Sequence, residues 1–200
     1  IEGQDSVMKW LQQGSVKTFV FTSSTSVYPQ SGKRFVDETA SCVGVSEKGG
    51  LLLAAEHKCF PPVSSISRSF ILRLSGLYGP GRHLLMNKVK QGEDIDGNED
   101  RILNLIHRDD AANAVISCLQ ADESNLGRIY NVSDGTHATR GQIVAWLAES
   151  LNLSSPSFKG DDEEGTPNRK VSNNRILDDL SWSPEYSNYQ LGYQSIFENL

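Results

Sequence analysis

Short apolar runs alternate with segments of helical periodicity along most of the chain. Within residues 17–22, Phe19, Val20 and Phe21 form a continuous apolar run, which is typical of a parallel strand covered on both faces. Similar runs predict strands over 69–74, 102–106 and 128–132. Apolar residues at helical spacing predict helices over 4–13, 49–60, 83–91 and 110–120, after Thr139, and over 189–199.

Several of these elements have recognisable ends. Pro61–Pro62 would stop the helix that precedes them, because proline cannot continue it. Asp109 or Asp110 is expected to cap the helix that follows, and Thr139 to cap the next one. Segments with Pro, Gly, Ser and charged residues but no periodicity are predicted to be irregular loops: 29–45 and 159–170.

The order of these elements indicates an α/β fold. Strands that alternate with helices favour parallel pairing with right-handed crossovers. We therefore predict the later half of a doubly wound, Rossmann-like parallel sheet with a small mixed C-terminal lobe. Residues 1–110 would form the Rossmann-like part, and residues 111–200 a mixed α/β region interleaved with the sheet.

Composition narrows the class of protein. A formal net charge of -6 and a pI near 5.2 argue against a nucleic-acid-binding surface. No apolar run reaches the roughly 20 residues of a membrane helix, and no signal or transit peptide is evident. Cys42, Cys59 and Cys118 are odd in number and lack CxxC spacing, so neither a metal site nor a disulfide framework is expected. A soluble protein of the cytoplasm or an organelle is the plain interpretation.

Six motifs occur in an order that resembles a known family: SSTSVY, a helix ending in AAE, RLSGLYGPGR, IHRDDAANAV, RIYNVSDG and SWSPEY. Together they resemble the extended short-chain dehydrogenases/reductases of the epimerase/dehydratase kind. The segments GGLLLAAE and SWSPEYSNYQLGY are most similar to the atypical, YeeZ-like branch. The resemblance implies an NAD(P) cofactor and a small polar or sugar-nucleotide-like substrate.

The family's glycine-rich phosphate loop lies upstream of these motifs and is absent from the chain as given. Three explanations stay open: a longer polypeptide, a truncated protein that recruits a partner to complete the sheet, or a degraded paralogue with a new role. The resemblance also implies a possible homodimer through the helix over 49–60 and the helix before it.

The resemblance places candidate catalytic residues. Ser24, four residues before Tyr28, matches the serine that orients the substrate. Counted back from Glu56, the family's Tyr and Lys positions fall on Lys48 and Leu52, so that pair is not preserved. Lys48 could move a proton only if burial lowered its pKa. The alternatives are that Lys48 is a solvated lysine and that Ser24 only satisfies turn N–H groups.

Cofactor and substrate contacts are implied in the same way. Ser23 and the backbone at Ser75 and Gly76 would face the nicotinamide end of the cofactor. Arg82 could reach a phosphate or an acidic substrate, or be a surface arginine. Tyr28 is the second candidate substrate contact, although its ring could equally pack under the following loop.

Two other patterns suggest sites that we regard as weaker. The glycines of SGLYGPG are spaced GxxGxG rather than GxGxxG, and Pro80 removes an N–H donor, so this turn is a poor phosphate cradle. His107, Asp109 and Asp110 resemble a catalytic trio, but no nucleophile is adjacent. A non-catalytic binding or assembly subunit is the main alternative to an enzyme. A hydrolase using Ser24 and His107 lacks a GxSxG elbow.

Overall fold

The computed structural model describes residues 2–60, 66–125 and 127–198. Its helices are Glu2–Leu11 (α1), Glu47–Cys59 (α2), Leu84–Gln91 (α3), Arg108–Gln120 (α4), Arg140–Ser150 (α5), Asn174–Asp179 (α6) and Tyr189–Phe197 (α7). Its strands are Val16–Ser24 (β1), Arg34–Val36 (β2), Ile66–Leu74 (β3), Gly76–Tyr78 (β4), Ile95–Asp96 (β5), Leu105–His107 (β6), Ile129–Val132 (β7), Phe158–Lys159 (β8) and Arg169–Val171 (β9).

A parallel sheet in the order β1-β3-β7 forms the centre of the fold. Successive side chains of β3 point to opposite faces, as the two-residue period of a strand requires. Ile71 packs with Met8 of α1 and Cys59 of α2, whereas Phe70 and Leu72 pack against α4 on the other face. Helices therefore cover both faces, and the predicted doubly wound α/β class is confirmed.

Parallel two-stranded ribbons lie beside this sheet: β2 with β9, β4 with β6, and β5 with β8. A separate apolar cluster joins α3, α5 and α7. The prediction of irregular loops over 29–45 and 159–170 was wrong where β2 and β9 form. These strands, RFV and RKV, are three residues long, which is too short to show periodicity.

The helix starts agree only partly with expectation. Thr139 caps α5 in a full capping box with Gln142, as predicted. The cap of α4 is instead His107, whose Nδ1 accepts from the Asp109 N–H at 3.4 Å. The proposed stop at Pro61–Pro62 lies outside the described residues. None of the helices in the part of the chain that the structure describes is long and apolar enough to cross a membrane.

Gly192 in α7 packs directly against β4. A Cβ at this position would lie 1.9 Å from the Tyr78 hydroxyl. Gly192→Ala is therefore expected to lower the free energy of unfolding by about 1–3 kcal/mol, because overpacking outweighs the gain in helix propensity. Gly50→Ala in α2, where a Cβ meets nothing within 4 Å, is the matched control and should be neutral or stabilising. Urea unfolding measures both, and equal values for the two variants would contradict the packing argument.

Candidate functional site

The candidate site lies at the carboxyl ends of β1 and β3. Ser24 ends β1 and is half-buried, and its Oγ accepts from the Ser26 N–H at 3.1 Å, which caps one turn of 3-10 helix over Thr25–Val27. Ser23 is buried, and its Oγ donates to Glu56 Oε1 at 2.6 Å. In this conformation the Ser24 hydroxyl has a local structural role, while its second lone pair and its proton are not used by any described residue.

The start of α2 packs against this turn. A Cβ on Gly49 would lie 3.3 Å from the Ser26 carbonyl oxygen, so the helix approaches closely. Lys48, the residue before, is exposed in the first turn of α2. Leu52 packs in the small apolar cluster that contains Val27 and Tyr28, so this position is part of the core.

The turn after β3 carries Ser75 and Gly76. The Ser75 N–H donates to the Val132 carbonyl at 3.0 Å, while its Oγ is buried without a partner among the described residues. Gly76 is exposed, and its N–H donates to the Asn104 carbonyl at 2.9 Å. A Cβ on Gly76 would lie 3.0 Å from that carbonyl oxygen, so a larger residue would push the turn away from Asn104.

Two residues that the sequence analysis missed connect these turns. The Asn104 side chain donates to the Arg169 carbonyl at 2.9 Å and accepts from the Val171 N–H at 2.8 Å. Arg169 Nη2 in turn donates to the Thr25 carbonyl at 2.7 Å. Asn104 and Arg169 therefore bring β9 to the Ser24 and Gly76 turns. No local motif marked either residue, because Arg169 lies in a segment predicted to be a loop and Asn104 is a single polar residue within the short strand predicted over 102–106.

Tyr28 lies in a buried polar network next to the site rather than on its surface. Its ring is fully buried; its hydroxyl donates to Asn131 Oδ1 and accepts from Arg73 Nη1, both at 2.8 Å. Arg73 also forms a buried ion pair with Glu56, the carboxylate that Ser23 contacts. Burial raises the pKa of Tyr28 to about 12, so this phenol keeps its proton near neutral pH.

Arg82 and His107 make no described contact with the Ser24 turn. Arg82 is exposed, its Nε donates to the Leu77 carbonyl at 3.0 Å, and no described contact joins it to Ser24 or Lys48. His107 is fully buried between the rings of Tyr78 and Tyr186. Burial lowers the pKa of His107, and no described contact links it to Ser24. Among the described residues, no group of three or more His, Cys, Asp or Glu side chains is placed to hold a metal ion.

The parallel sheet, the helices that cover both of its faces and the site at its strand ends define a Rossmann-like protein of the short-chain dehydrogenase/reductase type. The chain belongs to the NAD dependent epimerase/dehydratase family, whose model matches residues 1–133. It is 32% identical over 174 residues to the protein YeeZ of Escherichia coli strain K12. That match covers 86% of this chain and 59% of YeeZ, so the chain spans about three-fifths of the length of this curated relative.

Solved structures share the same architecture. A functionally unknown conserved protein from Silicibacter pomeroyi is 25% identical with a TM-score of 0.81; the match covers 98% of this chain and 70% of that one. The UDP-glucuronic acid 4-epimerase of Bacillus cereus, solved with UDP-glucuronic acid and NAD, is 20% identical with a TM-score of 0.80. Here the match covers 98% of this chain and 67% of the epimerase. The resemblance to the epimerase/dehydratase family and its YeeZ-like branch is confirmed.

Proposed function

We propose that this chain supplies the substrate-facing side of an NAD(P)-dependent epimerase/dehydratase or reductase that acts on a small polar or sugar-nucleotide-like substrate. The observation that carries this proposal is the convergence of the Ser24 turn, the Gly76 turn and Arg169 at the carboxyl ends of β1 and β3. Ligands of open α/β sheets bind outside these strand ends.

The residues at the Ser75–Gly76 turn are compatible with a nicotinamide ring. Gly76 leaves its backbone exposed, and the buried Ser75 hydroxyl has no described partner, as expected of a group that bonds a ligand. Ser75 and Gly76 would hold the carboxamide end of the cofactor, and Ser23 would support the turn through Glu56. The bound cofactor would supply a hydride acceptor or donor.

The chain's own chemistry would be carried by Ser24 and Lys48. The Ser24 hydroxyl would donate to a substrate oxygen, since its oxygen already accepts from the Ser26 N–H and its proton remains available. Lys48 would act from the first turn of α2 as an electrostatic partner of the substrate. Tyr28 and Arg82 would act less directly. Tyr28 would stabilise the site through its buried polar network, and the exposed Arg82 would contact an acidic group of the substrate.

Cofactor binding tests this proposal in the protein at the length at which it occurs in its source. Addition of NAD+, NADH, NADP+ or NADPH is expected to raise Tm by several degrees for at least one of the four, because a ligand bound only to the folded state stabilises it. Ser24→Ala should retain that shift, since the role assigned to the hydroxyl is toward the substrate. An unchanged Tm with all four nucleotides would refute the proposal.

A non-catalytic binding or assembly subunit is the second candidate. The observation that favours it is that Leu52 is packed in the core where the family keeps its lysine, while Lys48 is exposed. This alternative predicts cofactor binding without hydride transfer to any substrate of a UDP-sugar panel, measured by absorbance of the reduced nicotinamide. Turnover that Ser24→Ala abolishes and Ser24→Thr retains would exclude it.

A further inference from the structure

Arg169 presents a half-buried guanidinium without an anionic partner. Its Nη2 makes the one hydrogen bond that the described residues offer, to the Thr25 carbonyl, and its Nε is buried without a partner. The ion pairs of the described residues do not include it. A buried charge is normally paired, because removing it from water is costly.

Two other arginines lie near Arg169 in the fold. Arg34 lies directly opposite Arg169 in the β2–β9 register. Burial, together with the nearby charge of Arg101, lowers the pKa of Arg169 to about 10. Two acidic side chains in neighbouring loops have other cations as partners, since Asp162 pairs with Arg101 at 3.4 Å and Asp100 with Lys33 at 3.9 Å. A positive patch therefore persists on a chain whose formal net charge is -6.

The backbone around Arg169 is held in place. Asn104 fixes the Arg169 carbonyl and the Val171 N–H, and it also contacts the Gly76 turn through its own carbonyl. The hydrogen bond to Thr25 then sets the guanidinium one residue from Ser24. A fixed guanidinium loses little conformational entropy on binding, and its planar fork matches the oxygens of a phosphate or carboxylate.

We propose that Arg169 is the anchor for an oxyanion of the substrate, a phosphate or a carboxylate, bound beside the Ser24 turn. That the oxyanion belongs to the substrate rests on the function proposed above; that an oxyanion binds here rests on the contacts of Arg169 alone. The anion accepts hydrogen bonds from guanidinium N–H groups of Arg169 that lack an acceptor among the described residues, and it offsets the positive charge that Arg169 and Arg101 bring together.

Thermal unfolding in sodium phosphate and in sodium glucuronate tests this assignment. The protein is used at its natural length, and the ionic strength is held constant with sodium chloride. Either probe should raise Tm by about 2–4 °C, and Arg169→Gln should lose most of the rise. Arg128→Gln is the matched control, since it removes the same charge from an exposed pair with Asp179 outside this patch and should keep the rise. Protection by phosphate indicates a phosphoryl group, and protection by glucuronate a carboxylate.

The outcomes separate this inference from the proposed function. Equal rises in the native protein and in Arg169→Gln, or no rise with either probe, would overturn the inference even if a nicotinamide nucleotide binds. Protection by an anion that depends on Arg169, without any nucleotide binding, would support this inference and refute the proposed NAD(P) cofactor. If Arg169→Gln does not fold, Arg169→Lys keeps the charge but loses the fork, and it should lose most of the rise; full retention there would also overturn the inference.

Discussion

Replacement of Arg73 by methionine is expected to lower the free energy of unfolding by about 3–5 kcal/mol, which is a large part of the stability of a domain of this size. The substitution leaves the Glu56 carboxylate buried and without its cation. A buried ionised carboxylate that lacks a partner must either stay charged in a poor solvent or take up a proton, and both are unfavourable near neutral pH.

The geometry explains why this ion pair matters more than those at the surface. Arg73 Nε and Nη2 contact both oxygens of Glu56, at 3.0 and 2.6 Å, and both side chains are at most 6% exposed. Arg73 Nη1 also donates to the Tyr28 hydroxyl, and Ser23 donates to Glu56. The loss of one guanidinium therefore leaves hydrogen-bonding groups without a partner on α2 and on the segment that carries Tyr28.

Urea unfolding monitored by circular dichroism measures this effect. Arg128→Met is the matched control, because it breaks the exposed Arg128–Asp179 pair and should cost about 0–1 kcal/mol. The double variant Glu56→Gln/Arg73→Met should recover part of the loss, since no buried charge is left unpaired. A cost for Arg73→Met similar to that of Arg128→Met would show that the pair is not a determinant of stability.

This ion pair also shows what could be read from the sequence. Glu56 was located as the family's helix glutamate, and the strand that contains Arg73 was predicted from its apolar run. Their pairing was not predicted, because the two residues are 17 positions apart and meet only when α2 packs on β3. Local periodicity gives the elements of a sheet, but it does not give the polar contacts that form between them.

The same reason explains the missed half of the candidate site. The Ser24 and Gly76 turns follow strands with clear apolar runs, so both were found. Arg169 contacts a carbonyl 144 positions away, at Thr25, from a strand too short to be recognised. Only the tertiary fold brings these residues together, and a lone arginine in a charged segment gives no local signal.

The start of α4 shows a different kind of competition. Asp110 has the right chemistry to cap a helix, yet its carboxylate accepts from the Glu185 and Tyr186 N–H groups at 2.8 and 3.1 Å. These donors come from the C-terminal segment, where they would otherwise be unsatisfied. His107 occupies the cap position instead. The need to satisfy the N–H groups of the C-terminal segment therefore outweighs a local cap by Asp110.

The stability of the protein is also expected to depend on pH through the buried carboxyl group of Asp134. Asp134 is 5% exposed; its Oδ1 accepts from the Thr136 N–H at 2.8 Å, and its Oδ2 is buried without a described partner. Burial, with a smaller contribution from the charge of Asp110, raises the pKa of Asp134 from 3.8 to about 7. The folded state therefore holds a proton that the unfolded chain has released.

The sign of the effect follows from proton linkage. Between pH 4 and 7 the folded state binds more protons at Asp134 than the unfolded state, so stability falls as pH rises through this window, by on the order of 4 kcal/mol. Burial of His107 and His137 lowers their pKa values below 6.5 and acts in the opposite direction, since their contribution is lost as pH falls below 6.5. The total pH profile alone cannot separate these groups.

Asp134→Asn isolates the contribution of the carboxyl group. Relative to the native protein, this variant should gain on the order of 4 kcal/mol in the free energy of unfolding between pH 4 and 8, because its amide does not ionise. Urea unfolding at pH 4, 6 and 8 gives the difference between the two proteins, from which the histidine contributions cancel. Asp178→Asn, at an exposed position on α6, is the control and should show a nearly constant difference. A constant difference for Asp134→Asn as well would mean that this carboxyl group titrates normally and that its buried oxygen finds a partner in solution.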